Sequence, residues 1–214
     1  MALFKRSTQA VKRTRDDIWA EAAAALGSAL EFESGDMPRI ACRREPWTVT
    51  LTIEVQMAGD TPTVVTVAQA RFLAREDLRM TVTWRTIGSR IAEALGLGGI
   101  AISDPAFRRH WVVRSRSKGR VRSLLSDGKY RRLFPEQRGL RLTVGRLPWR
   151  ERRRRGDRVR RVRVASGIAM EPQQLVECVE LVHGTLERLV TLGAADREPV
   201  QEDTHYPGDL PSRV

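Results

Sequence analysis

Residues 48–55 alternate threonine or glutamate with aliphatic side chains, and this alternation constrains the fold more than any other stretch of the sequence. Successive side chains of a β-strand point to opposite faces, so the pattern predicts a strand with one buried face. The residues expected to face inward are Val49, Leu51, Ile53 and Val55. A turn at Gly59, Asp60 and Pro62 then favours a second strand over residues 63–72, and we expect an antiparallel hairpin.

Two amphipathic helices are predicted on either side of the strands. Thr14 and Asp17 have the spacing of a capping box, and the apolar residues that follow at helical spacing end at Gly27, a residue typical of helix termini. Pro172 is compatible with a first helical turn. The residues after it form an apolar stripe at steps of four and three: Leu175, Val179, Val182, Leu186 and Leu189. We expect this stripe to pack on the sheet, with a self-association seam as the alternative.

Shorter elements complete the prediction. Strands are expected within residues 30–42, at residues 80–84, and at residues 140–144 and 161–164, of which the last two should pair as a hairpin. Helices are expected after Thr86 and Ser117, with a helical turn at Tyr130, Leu133 and Phe134. The predicted fold class is α+β, with a mainly antiparallel sheet built from hairpins and an N-terminal and a long C-terminal amphipathic helix packed on it.

The segment from Asp104 to Val113 divides the chain into an apolar half and an arginine-rich half. Asp104 followed by Pro105 indicates a turn in which the carboxylate accepts backbone amides. We expect a strand to follow directly, with Phe107, Arg109, Trp111 and Val113 on one face. The residues expected to be buried across the whole chain are Trp19, Leu51, Ile53, Val82, Trp111, Val113, Leu142, Val164, Val179 and Leu186.

Composition sets the domain organisation. The chain has 214 residues, of which 41% are hydrophobic and 30% are charged, values typical of a globular protein that lies outside the membrane. We expect one domain over residues 15–192, a flexible basic arm over residues 1–14 and a flexible acidic tail over residues 193–214. The two cysteines, Cys42 and Cys178, lie in a candidate strand and a candidate helix. They are expected to be reduced and buried, which favours a cytoplasmic location.

Positive charge is concentrated in one part of the chain. Residues 105–163 hold 22 Lys and Arg against four acids, a net charge of +18, whereas the whole chain carries +12. Only four of the 38 basic residues are lysines, and arginine is the residue suited to bidentate contacts with phosphate. A coding bias could favour arginine over lysine, but it does not explain why the excess lies in one half.

The candidate binding site is the stretch from Trp149 to Arg158, interpreted as an exposed loop between two strands. Adjacent arginines repel one another and cannot be buried together, so the loop should project towards an anionic partner. The alternative is a solvated run of charge with no partner. The residues assigned to this polyanion site, including two from the following strand, are Trp149, Arg150, Arg152, Arg153, Arg154, Arg155, Arg158, Arg161 and Arg163.

The sequence contains no recognisable catalytic motif, so no catalytic residue, cofactor or metal site is assigned. His110, His183 and His205 have no serine or cysteine at a motif spacing. Paired carboxylates would have to come from residues such as Glu31, Glu33, Asp36 or Asp104, and Asp104 is explained as a turn former.

Apolar and turn motifs follow one another in a fixed order along residues 15–192. They are Trp19 and Leu26 on the first helix, Pro46-Trp47-Thr48-Val49, Asp104-Pro105-x-Phe107, Leu124-Leu125, Arg131 and Leu133. This order resembles a bacterial α+β family in which a Gly-Asp-x-x-Phe-Asp turn enters a central strand, and the resemblance implies no particular activity. Ser103 stands where that pattern has glycine, and Arg108 where it has Asp or Asn.

Three classes of function fit these features. The first is a non-catalytic binding or scaffold module whose arginine-rich half contacts the backbone of RNA or DNA without base specificity. The second is a subunit of a larger assembly that binds an acidic protein surface. The third is a peripheral protein on an anionic membrane, which the lack of an amphipathic helix with bulky apolar residues opposite the arginines disfavours.

Overall fold

An antiparallel sheet of eight strands organises the part of the chain that the computed structural model describes, which is residues 13–33, 36–58, 60–89 and 99–200. The strands are β1 (Leu30–Glu33), β2 (Met37–Arg44), β3 (Trp47–Ala58), β4 (Thr61–Leu73), β5 (Met80–Trp84), β6 (Trp111–Ser115), β7 (Arg141–Arg146) and β8 (Val159–Ser166). Their order across the sheet is β1-β2-β3-β4-β8-β7-β5-β6. The helices are α1 (Arg15–Leu26), α2 (Pro105–His110), α3 (Lys118–Leu125), α4 (Gly128–Arg131), α5 (Trp149–Arg155) and α6 (Pro172–Thr191). The predicted α+β class with its antiparallel sheet is confirmed.

One face of the sheet, the core face, is covered by helices. A row of apolar side chains crosses seven strands in register, and every member is buried: Ile40, Leu51, Ala68, Val164, Leu142, Val82 and Val113. Helix α6 packs on β3, β4 and β8, and α1 packs on α6 and β2. All five residues of the stripe predicted on α6 are buried, so the stripe is a packing surface for the sheet.

The opposite face, the open face, is polar. The row that alternates with the apolar one carries Thr50, Gln69, Arg163, Thr143, Thr81 and Arg114. Arginines Arg71, Arg141 and Arg161 share this face because they occupy positions of the same parity in the ladder. The two faces therefore separate the apolar core from much of the arginine content.

The predicted helix-end signals are confirmed at α1, whereas the cap predicted at Ser117 does not form. The Thr14 side chain accepts the Asp17 amide while the Asp17 carboxylate accepts the Thr14 amide, and Gly27 ends α1 in the left-handed conformation at φ 65°. Ser117 precedes α3, but its side chain makes no capping bond. The Thr86 hydroxyl accepts the Ser89 amide at 3.3 Å, as a helix start would require. The rest of that predicted helix lies outside the described residues.

The prediction of a strand directly after Asp104 is wrong for the first half of that segment. Residues 105–110 form α2, and the strand begins only at Trp111. Asp104 is the N-cap of this helix and Pro105 occupies its first turn, a position where proline costs nothing because its missing N–H has no helical partner. Arg109 therefore lies exposed on a helix, whereas Trp111 and Val113 are buried as expected.

The basic stretch interpreted as a loop contains a helix. Residues 149–155 form α5, which begins after Pro148 and ends at Gly156 with φ 86°. Arginine has a high helix propensity, and exposed arginines are tolerated on a helix because each side chain can extend into water. The two flanking strands, β7 and β8, do pair as the predicted hairpin.

Two burial expectations fail at the end of the first hairpin. Val55 was expected inside but is 59% exposed, and Ile53 is only partly buried. The other residues of the expected burial set are buried. The hairpin of β3 and β4 is longer than its neighbours, so its last residues extend beyond the helices that would cover them.

The segment expected to be a tail from residue 193 begins as packed structure. Ala194 and Ala195 are buried, and Ala195 forms an isolated bridge with Ala74. Asp196 donates its amide to the carbonyl of Leu73 at 2.8 Å. The remaining tail, residues 201–214 with His205, and residues 1–12 of the basic arm lie outside the described residues.

Candidate functional site

The strand arginines of the predicted polyanion site lie on the open face and already have protein partners. Arg163 donates to the Glu54 carboxylate at 2.7 Å, and Arg161 donates to the Gln69 amide oxygen at 3.1 Å. Burial lowers the pKa of Arg161, and the positive charges of Arg163 and Arg71 lower it further. Since Arg163 is paired with a carboxylate, it has little charge to offer to an external anion.

Helix α5 lies over one end of the open face. The Glu151 carboxylate accepts a hydrogen bond from Arg71 at 3.0 Å, which joins the helix to β4. Arg152 lies 3.4 Å from the Asp157 carboxylate. Arg153 places its guanidinium 4.8 Å from the centre of the Trp149 ring, a cation–π contact on a side chain that is 57% exposed. The exposed ring of Trp149 therefore already contacts a cation of the same chain.

The remaining members of the predicted site lie on α5 or just before β8. Arg158 donates to the Asp196 carboxylate at 2.9 Å, and Arg75 pairs with the same carboxylate. Arg155 is partly buried on α5. Arg150 and Arg154 are residues of the same helix. The structure thus brings the predicted residues together around α5, β8 and their neighbours, but acids of the same chain neutralise part of their charge.

A second cluster of cations was missed as a separate unit by sequence reasoning. Residues 105–126 contain seven Lys and Arg and no acid. Six of them are exposed and have no carboxylate partner among the residues that the structure describes. We call these six the β6 cationic surface: Arg108, Arg109, Arg114, Arg116, Lys118 and Arg122. The run without acids was the available signal, but counting charge over all of residues 105–163 hid it.

Three elements position this surface. Helix α2 carries Arg108 and Arg109 in its last turn, and the edge strand β6 presents Arg114 on the open face. Helix α3 carries Lys118 and Arg122, and Arg116 lies in the short connection between β6 and α3. The backbone of residues 99–101 runs beside β6, where the Ile100 amide donates to the Val113 carbonyl at 2.6 Å. The backbone edge of β6 is therefore partly covered. A partner would contact the arginine side chains of this surface and not the edge of the strand.

A groove separates α2 from α3 within this surface. Its volume is about 550 Å³, and Arg108 and Arg122 both line it. The hydroxyl side chains of Ser103, Ser123 and Ser126 line the same groove. Guanidinium and hydroxyl groups are common donors to phosphate oxygens, so the groove has the chemistry to hold part of an anionic chain.

Asp104 serves the structure beside this surface. Its Oδ1 accepts the amides of Ala106 and Phe107 at 2.9 and 3.1 Å, and its Oδ2 accepts a hydrogen bond from Arg131 at 2.8 Å. The backbone hydrogen bond from Phe107 is the largest cause that lowers the pKa of Asp104, and the charge of Arg131 lowers it further. An ionised carboxylate with three donors is poorly suited to accept a proton from a substrate.

The remaining candidates for chemistry are explained by packing. Burial raises the pKa of the Cys178 thiol to about 12, so at neutral pH it remains a protonated thiol and a weak nucleophile. His183 contacts the ring edge of Trp47, and His110 packs against Trp84. Residues 13–200, apart from the undescribed gaps, hold no group of three or more side chains arranged to bind a metal ion.

Comparisons with known proteins give no further assignment. No protein-family model matches the chain, and neither the curated proteins nor the solved structures include a match. The resemblance to a bacterial α+β family therefore stays a prediction. Within the described part of the chain, no helix combines the length and the apolar character needed to cross a membrane.

Proposed function

We propose that this protein binds the backbone of a nucleic acid without base specificity, and that the β6 cationic surface is its principal contact. One observation carries the proposal: six exposed cations on α2, β6, α3 and the connection between β6 and α3 have no carboxylate partner among the described residues. Cations that no acid neutralises can release the counterions of a polyanion and gain affinity from doing so.

The distribution of ion pairs supports this choice of surface over α5. Around α5 and β8, arginines bind Asp157, Asp196 and Glu54 of the same chain. An external phosphate would have to compete with these carboxylates. We therefore assign α5, with Arg150, Arg152, Arg153, Arg154 and Arg155, a secondary contact.

The open face extends the cationic surface away from its edge. Arg114 on β6 and Arg141 on β7 are both exposed and lie on either side of β5, opposite Thr81 and Thr83 respectively, so their backbones are about 12 Å apart at the usual strand spacing and rise. Thr81 and Thr83 of β5 lie between them. Such a row of guanidinium and hydroxyl groups favours contacts with phosphate and sugar, which position a nucleic acid without reading its bases.

A cytoplasmic location is part of the proposal. Cys42 and Cys178 are both buried and neither forms a disulfide. This state is usual in a reducing compartment, where nucleic acids are also found. Binding to an acidic protein surface is the alternative that the same cations would serve.

The test is a comparison of two variants with the same change of net charge. Arg108→Ser/Arg122→Ser removes both arginines that line the groove, whereas Arg43→Ser/Arg197→Ser removes two exposed arginines elsewhere, one of them on β2, six strands from β6 in the sheet order. Fluorescence anisotropy with two unrelated labelled duplexes and one labelled single strand gives the affinities at several salt concentrations.

We expect the groove variant to bind all three probes more weakly and to flatten the slope of log K against log salt by about 0.7 to 0.9 per lost phosphate contact. The control variant should keep the slope of the unsubstituted protein. Equal loss in both variants would mean that net charge alone drives binding and would contradict the proposed surface. Binding to polyglutamate in place of nucleic acid would assign the surface to an acidic protein.

A further inference from the structure

The hairpin of β3 and β4 continues beyond the sheet as a two-stranded ribbon. Strand β2 pairs with β3 as far as Thr52, and β8 pairs with β4 as far as Ser166 opposite Thr66. The ladder of β3 and β4 continues from Glu54 opposite Val65 to Ala58 opposite Thr61, with no further strand on either side among the described residues. A two-stranded hairpin by itself is marginally stable in water, so a contact on one of its faces would stabilise this ribbon.

One face of the ribbon is apolar and exposed. Val55 and Met57 on β3 and Val64 on β4 have the parity of the core face, yet they are 59%, 65% and 39% exposed. The connection from β8 to α6 passes beside this part of β4, because the Ala169 amide donates to the Thr66 hydroxyl, and its Ile168 and Met170 side chains are exposed. We call these five residues the ribbon patch. A contiguous apolar patch usually marks a site where another segment binds.

The described chain begins next to this patch. Arg13 lies 3.3 Å from the carboxylate of Glu171, the residue that follows Met170. Arg15 donates to the backbone carbonyl of Asp36 at 3.2 Å, at the turn between β1 and β2. The twelve residues before Arg13 therefore leave the described structure at the end of the sheet from which the ribbon projects.

We propose that residues 1–12 of the same chain cover the ribbon patch. The segment contains the apolar residues Leu3, Phe4 and Val11 and the cations Lys5, Arg6 and Lys12. Five acids lie around the point where it departs, and Arg13 and Arg15 offset only part of their charge, which leaves a net charge of −3: Asp16, Asp17, Glu21, Asp36 and Glu171. An apolar and basic segment thus complements an apolar patch with an acidic border.

The segment is long enough for this contact. Twelve residues in extended conformation reach at most about 40 Å. The distance across the strands from β1 to β8 is about 19 Å at the usual spacing of neighbouring strands. Leu3 and Phe4 precede Arg13 by ten and nine residues, a reach of at most about 30 to 36 Å, which exceeds this distance.

A second copy of the chain fits the patch less well. Two patches facing each other would bring the acidic borders of both copies together, because the five acids at this end of the sheet outnumber Arg13 and Arg15 in each. Like charges at such an interface repel, whereas the basic N-terminal segment is attracted. A segment of the same chain is also present near the patch at a high effective concentration, which favours an intramolecular contact.

Methionine methyl resonances of the full chain provide the test. Met57 and Met170 belong to the patch, and Met80 is buried in the core. The variant Leu3→Asp/Phe4→Asp changes only the segment, and Arg43→Ser/Arg197→Ser gives the same charge change of −2 away from the patch. Chemical shifts of ¹³C-methyl methionine are compared in all three proteins at two concentrations.

We expect the Met57 and Met170 resonances to move in the segment variant, while Met80 keeps its position and the charge control leaves all three unchanged. Patch resonances that stay in place in the segment variant would overturn the proposal. Patch resonances that move with protein concentration but not with the substitutions at Leu3 and Phe4 would also overturn it and assign the patch to a second copy. Because the variants leave the β6 cationic surface intact, nucleic-acid binding is an independent measurement.

Discussion

Arg131 of α4 donates from its Nε to the Oδ2 of Asp104 at 2.8 Å, which links the end of α4 to the start of α2. The other carboxylate oxygen caps α2 by accepting two backbone amides. One aspartate thus joins a local helix cap to a contact 27 residues away in the sequence. This connection holds α2, with Arg108 and Arg109, in place beside β6.

The first prediction concerns this cap. Asp104→Ala removes the acceptor for both amides, and we expect the melting temperature to fall by about 2 to 4 °C, the shift that corresponds to loss of a typical cap in a chain of this size. Asp104→Asn keeps an acceptor for the amides, so its melting temperature should fall less. A thermal denaturation series of the three proteins measures this, and equal falls for Ala and Asn would show that the Arg131 contact dominates.

The second prediction is that the ion pairs of Asp77 make the stability of the fold depend on pH in the acidic range. A hydrogen bond from Arg79, supported by Arg146, lowers the pKa of Asp77 to about 2. A carboxyl whose pKa is lower in the folded state stabilises the fold above its ordinary pKa of 3.8, and this stabilisation is lost as pH falls through about 2. The side chain is 45% exposed, so solvent screening limits the effect to below about 1 kcal/mol.

Urea denaturation between pH 5 and pH 2 tests the Asp77 prediction. In Asp77→Asn the loss of stability between pH 4 and pH 2 should be smaller than in the unsubstituted protein. A parallel pH profile in the two proteins would contradict it.

Trp111 predicts a large loss of stability on truncation. Its ring lies in an aromatic cluster with centroid distances of 5.2 Å to both Trp84 and Phe134, and it is 5% exposed. Trp111→Ala should cost about 3 to 5 kcal/mol because it leaves a cavity among these rings. Trp149→Ala, at an exposed ring, is the control and should cost far less. Chemical denaturation gives both values, and similar costs for the two would show that the cluster is not packed as described.

Buried thiols predict slow modification. Cys42 and Cys178 are both buried, and burial raises the pKa of Cys178 to about 12. A reagent that forms a coloured thiolate should react with neither thiol rapidly at pH 8 in the folded protein, and with both after denaturation. A fast reaction of one equivalent with the folded protein would contradict the burial of that residue.

Helix α5 predicts a smaller effect on nucleic-acid binding than its charge suggests. Changing Arg152, Arg153, Arg154 and Arg155 to serine removes four cations, but Arg152 lies beside Asp157 and Arg153 stacks on Trp149. We expect this variant to lose less affinity than the variant Arg108→Ser/Arg114→Ser/Arg116→Ser/Arg122→Ser. A greater loss from the α5 variant in the same anisotropy assay would restore α5 as the principal contact.

Local sequence patterns determined the elements whose signals lie within a few residues. The capping box of Thr14 and Asp17, the alternation over residues 48–55 and the apolar stripe after Pro172 all correspond to observed structure. Each pattern follows from the geometry of a single helix or strand, which needs no knowledge of distant residues. The pattern from Asp104 to Val113 misled because six residues of helix are too few to show a period.

Only the tertiary structure decided which arginines are available to a partner. The sequence placed Arg152, Arg158 and Arg163 in one basic region. In the fold, the order of strands brings Glu54 to Arg163 across 109 positions, and the segment after α6 brings Asp196 to Arg158 across 38. Among the described residues, Arg120 pairs with Glu76, but the other six cations of residues 105–126 have no such partner, because β6 lies at the edge of the sheet, away from most of the acids. The net charge of a sequence does not say which cations are paired with acids. Binding depends on the cations that the fold leaves without an acidic partner, and contacts between residues distant in the sequence decide which these are.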